Sequence, residues 1–79
     1  MTIREYIVTK ADPDGIKVVA RAIAGSIEQA MAELYGDDWE VHNEMGYLMV
    51  GQPSTGGCIG CLWVRDVPER GTGIEGVQP

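Results

Sequence analysis

Phenylalanine is absent from the 79 residues, so aromatic packing falls to Trp39, Trp63 and three tyrosines. Two cysteines are too few to staple a miniature disulfide scaffold, and the fold must rest on a modest apolar core. No stretch approaches the roughly 18 consecutive apolar residues of a membrane span. The opening MTIREYIVTK lacks the long apolar run of a secretory signal. A cytoplasmic protein is expected, and a chain this short holds one core, which excludes a multidomain enzyme.

Basic residues are missing from the middle of the chain. Between Ala22 and Val64 there is no Lys or Arg, while Glu28, Glu33, Asp37, Asp38, Glu40 and Glu44 fall there with the single His42. The flanks carry Glu5, Asp12, Asp14, Asp66, Glu69 and Glu75 against Arg4, Lys10, Lys17, Arg21, Arg65 and Arg70, and sum to zero. The whole formal charge of -6 therefore comes from one segment. Direct affinity for nucleic acid or an anionic membrane is not expected of such a chain, and a charged partner should be basic.

Residues 3–9 are rich in β-branched and aromatic types and predict a strand. Asp12-Pro13-Asp14-Gly15 has turn chemistry, and residues 16–24 predict a second strand in a hairpin. There Ile16, Val18, Ala20 and Ala22 are assigned to one face, and Lys17, Val19, Arg21 and Ile23 to the other. Ser26 with Gln29 forms a capping box, Ile27, Ala30, Met31 and Leu34 follow a buried helical stripe, and Gly36 suits a stop, so the spacing predicts a helix over 27–35. Glu28, Gln29, Ala32 and Glu33 then look outward. Short strands at 39–42 and 47–50 flank a turn at Asn43–Gly46, residues 51–57 predict a loop, and 61–65 a last strand. The order β-β-α-β-β-β implies an α+β domain over 1–67, with about five strands in a small antiparallel sheet and one helix packed on one face. Residues 68–79 are expected to form a flexible or disordered tail.

The acidic segment is the leading candidate site. Asp37 and Asp38 follow a helix C-terminus, where the macrodipole makes each carboxylate cost about 0.3–1 kcal/mol. Glu33 and Asp37 would repel at helical spacing, and stability alone would not select them. The alternative is a solvated surface that serves solubility. Cys58-Ile59-Gly60-Cys61 has half-site zinc spacing, but only His42 could add a third strong ligand, so no metal site and no cofactor are assigned. A redox role needs the pair at a helix N-terminus, whereas a strand follows here. Packing residues, surface thiols or an intermolecular disulfide through Cys58 and Cys61 remain as readings. His42 has no nucleophile in a recognisable arrangement and reads as a half-exposed strand residue. Asp12–Gly15 lacks the remaining ligands of a calcium loop, and the Gly-rich stretches lack the context of a phosphate loop. Trp39 and Trp63 are expected in the core, and either becomes an interface candidate if exposed beside the acids.

One small sheet with one amphipathic helix, a concentrated acidic segment and no catalytic constellation resembles the anti-CRISPR proteins, phage-encoded inhibitors of CRISPR systems. The resemblance is one of profile and covers Thr2 to about Asp66. It implies a stoichiometric binder without enzymatic activity that occupies a basic DNA-recognition surface of a type I effector complex and keeps target DNA out. On the charge reading, Glu28, Glu33, Asp37, Asp38, Glu40 and Glu44 would face the lysines and arginines that otherwise hold phosphate. Two rivals stand beside it: a structural or assembly protein, monomeric or homodimeric, and a metal-binding or redox module using the cysteine pair.

Overall fold

The computed structural model of the chain describes residues 3–67. Five antiparallel strands form one sheet in the order β2-β1-β5-β4-β3, with β1 at Arg4–Asp12, β2 at Gly15–Ala24, β3 at Glu40–Glu44, β4 at Tyr47–Gln52 and β5 at Gly57–Asp66. The one helix among the described residues, α1, Ile27–Tyr35, links the edge strand β2 to the opposite edge strand β3. The expected order and fold class are those found. The tail expected over 68–79 lies outside the described residues.

The helix begins where its cap chemistry places it. Ser26 Oγ accepts the Gln29 amide at 3.1 Å, and the Gln29 side chain accepts the Gly25 amide at 2.8 Å. At the other end Gly36 has φ 68°, a conformation that costs a side-chain-bearing residue, and its N–H bonds the Ala32 carbonyl at 2.9 Å. Ala30 and Met31 are fully buried, and Ile27 and Leu34 pack partly beside them. Beneath the helix lie Tyr6 and Val8 of β1, Ala22 and Ala24 of β2, Val50 of β4 and Leu62 of β5. Small residues on β2 let the helix approach that strand closely. Trp39, Val41 and Leu48 close the core toward β3.

Two of the three hairpin turns, β1–β2 and β3–β4, are two residues long. Asp12 pairs with Gly15, and the Asp12 carboxylate accepts the Asp14 amide at 3.0 Å. Glu44 pairs with Tyr47, and the intervening Met45 and Gly46 both have positive φ, at 54° and 91°. That is the backbone that matches strand twist. Met45 is nevertheless a costly choice there, since local stability favours Asn or Gly.

Two irregularities change which residues share a face. Val8 pairs with Ala20 but Thr9 with Val18, so Val19 is bulged out. Regular alternation in β2 is therefore overturned: Ala20, Ala22 and Ala24 face the helix, while Ile16 and Val18 share the helix-free face with Arg21 and Ile23. In β5 a second bulge at Ile59 follows from Val50 pairing with Gly60 and Gly51 with Cys58. The strand starts at Gly57, four residues before the expected 61, and β1 and β4 also run beyond their expected ends at 9 and 50.

Gly60 explains why β5 can sit in the middle of the sheet. A Cβ at this position would lie 2.1 Å from the Thr9 carbonyl oxygen of β1 and 3.3 Å from a Val8 methyl. Backbone cannot give way cheaply at a strand pairing buried beneath a helix. Gly60→Ala is expected to lower stability by about 1–3 kcal/mol or more in urea unfolding. Unchanged stability would remove the close approach as the reason for glycine here.

Candidate functional site

The acidic residues do not form one continuous belt. Glu28 and Glu33 stand exposed on the outer face of α1, and Asp37 is exposed in the turn beyond it. Glu40 and Glu44 alternate with His42 on β3, and their register places all three on the helix-free side of the sheet. The segment thus runs down the helix layer and over the β3 edge.

Asp38 has a structural occupation. Its carboxylate accepts the Ser54 amide at 2.9 Å and the Ser54 hydroxyl, tying the β4–β5 loop to the link between α1 and β3. These bonds, the side-chain one foremost, hold its carboxyl below the ordinary value. The expectation that stability would not select an acid here is overturned for Asp38. For Asp37 the helical like-charge spacing to Glu33 does not arise, because the helix ends at Tyr35 and Gly36 turns the chain.

Cations are concentrated elsewhere. Arg4 pairs with Asp66 at 3.3 Å, Lys17 with Asp12 at 2.9 Å, and Arg21 and Arg65 both grip Glu5. All these partners lie on β1, β2 and β5. Glu5 is only 7% exposed, and the two guanidiniums compensate its burial. Among the described residues no Lys or Arg pairs with Glu28, Glu33, Asp37, Asp38, Glu40 or Glu44, and Glu44 meets only His42, at 3.3 Å. The imbalance along the chain is therefore an imbalance in space.

The cysteines lie on the central strand. By register the Ile59 bulge places Cys58 and Cys61 on the same helix-free face, where strict alternation would separate them. Both are free thiols, Cys58 exposed and Cys61 half-buried with its sulfur 3.5 Å from the Met49 sulfur. Among the described residues no three His, Cys, Asp or Glu side chains converge as metal ligands. No described helix is long and apolar enough to cross a membrane.

Trp39 packs against the core as expected, but Trp63 does not. It lies on the helix-free face of β5, 46% exposed, donating its indole N–H to Thr9 Oγ1 at 2.8 Å and meeting the Tyr47 ring edge-on at 6.4 Å. Around it Val18, Ile23 and Tyr47 are exposed by 50, 56 and 57%. This apolar face is the site that sequence reasoning missed. Its signal was the presence of large apolar residues at both parities of β2 and β5.

The Asp38 bonds predict a pH response. A carboxyl whose folded pKa lies below its unfolded value adds stability that is fully present above the unfolded pKa and lost as pH falls through the folded one. Ser54→Ala should lower Tm at neutral pH and bring it toward the wild type as pH falls below the ordinary Asp range. A difference in Tm independent of acid pH would separate the loop contact from Asp38 ionisation.

No family model, no curated protein and no solved structure matches this chain.

Proposed function

We propose that this chain is a non-enzymatic inhibitor that docks an acidic surface onto a basic, DNA-gripping surface of a bacterial type I CRISPR effector complex and so keeps target DNA out. The observation that supports the reading most directly is charge compensation. Glu5 and Asp12 of β1 and Asp66 of β5 meet Lys or Arg, whereas the carboxylates from α1 through β3 meet none among the described residues. Uncompensated acids on a helix face and the adjoining turn present a surface of one sign, which favours and orients a basic partner. Glu28, Glu33 and Asp37 make this surface on the helix side, whereas Glu40 and Glu44 stand on the helix-free side of β3. Asp38 contributes charge while its hydrogen bonds hold the loop that shapes the patch. The partner is a protein surface, since the same acids repel phosphate and anionic lipid.

The assembly-protein reading keeps one observation of its own, the exposed apolar face around Trp63. It concerns the opposite side of the sheet from α1 and does not compete for Glu28, Glu33 or Asp37.

A gel shift of purified type I effector with target duplex tests the proposal. Wild-type protein added before the DNA should abolish the shift. The triple variant Glu28→Lys, Glu33→Lys, Asp37→Lys should lose that effect while keeping its circular dichroism, because none of the three carries a described hydrogen bond or ion pair. An inhibitor unaffected by these reversals, or a shift untouched by the wild type across type I effectors, would overturn the reading.

A further inference from the structure

The helix-free face of the sheet is organised in rows that run across all five strands. One row reads Arg21, Ile7, Trp63, Tyr47, Glu44 from β2 to β3. The next reads Val18, Thr9, Cys61, Met49, His42. Each is apolar or neutral through the middle strands. The first ends in a cation at one edge and an anion at the other.

We infer that this face packs against the same face of a second copy of the chain, about a two-fold axis running along the central strand β5. Exposure of Val18, Ile23, Tyr47 and Trp63 on one face of the sheet is unusual for a small monomer, and their burial would supply the driving force. Charge at the two edges of the face fits a second copy turned about this axis, while Arg65 of β5, its guanidinium held by Glu5, comes beside Arg65 of the second copy. Rotation about β5 reverses strand order, so β2 of one copy lies over β3 of the other, β1 over β4, and β5 over β5. Within one row Arg21 then meets Glu44 of the second copy, Ile7 meets its Tyr47, and the two Trp63 rings share the centre. A two-fold running across the strands would instead stack β3 on β3, setting the acidic edge strand of one copy on that of the other and leaving Arg21 over β2. Five strands about 4.8 Å apart span about 19 Å between the edge strands, and facing sheets pack about 10 Å apart, enough for interdigitated side chains.

That spacing decides the role of the cysteines. Cys61 meets its own copy near the axis, but α-carbons about 10 Å apart exceed the reach of a disulfide. The dimer is therefore held by packing and ion pairs, independently of reductant. The Arg21 guanidinium already bonds Glu5 at 3.2 Å and is more than half exposed, which leaves donors free toward Glu44 of the second copy.

Sedimentation velocity of the full chain with reductant present tests the inference. A dimer in the micromolar range is expected, and a monomer throughout would overturn it. Glu44→Arg alone and Arg21→Glu alone should each weaken the dimer at least tenfold, because each homodimer then carries two like-charge contacts. An equimolar mixture of the two variants should restore it, since both contacts become opposite in sign. Recovery in the mixture is an outcome that misfolding cannot mimic. If Arg21→Glu loses its circular dichroism through Glu5, Glu44→Arg and Tyr47→Asp carry the test, each with the same expected loss. Wild-type dimerisation in both would overturn the proposed face.

Discussion

Where β5 passes between β1 and β4, the Thr9 carbonyl occupies the space that a side chain at position 60 would need. Glycine there permits β5 to take the central place in the sheet, and the order β2-β1-β5-β4-β3 depends on it. The same neighbourhood holds both bulges, opposite Thr9 in β2 and at Ile59 in β5. Together they turn Ala20, Ala22 and Ala24 toward the helix and send Val18 and Cys61 to the other side. A helix over small side chains and an uncovered face of larger ones follow from that one close approach and the register around it.

Charge follows the same division. Guanidiniums are drawn to β1, β2 and β5 by Glu5 and Asp66, and the buried Glu5 requires both Arg21 and Arg65. Among the described residues nothing comparable serves the acids between Glu28 and Glu44. Their mutual repulsion is a standing cost to the isolated fold, relieved only by solvent, salt or a basic partner. Asp38 is the exception, because its bonds to Ser54 fasten two loops. Helix-side acids and the sheet's apolar face lie on opposite sides of a thin molecule, so a dimer through the sheet would present two acidic helix layers outward.

The helix was legible in the sequence because its signals are local: Ser26 and Gln29 at the start, the Ile27–Leu34 stripe, and Gly36 at the stop. Strand count and order along the chain were legible for the same reason, through turn residues at the β1–β2 and β3–β4 hairpins. Facing was not. Lys17-Val18-Val19-Ala20 is apolar at both parities, and only the pairing with β1 reveals that Val19 is bulged. Gly57 closes the expected loop and the expected strand starts at Cys61, yet pairing with β4 makes the chain strand from Gly57 on. Asp38 looked like one of six equivalent acids because its partner lies 16 residues away. Trp63 is expected inside, and its exposure follows because, among the described residues, the helix covers the other side of the sheet.

The central claim is that the uncompensated acids occupy a surface that otherwise holds phosphate. Its most direct measurement is the affinity of the protein for a type I effector at a series of salt concentrations, with target duplex as competitor. Ion-pair docking at a phosphate site predicts affinity that falls steeply as salt rises, together with mutual exclusion of protein and duplex. Binding that is indifferent to salt, or a stable ternary complex with duplex, would contradict it.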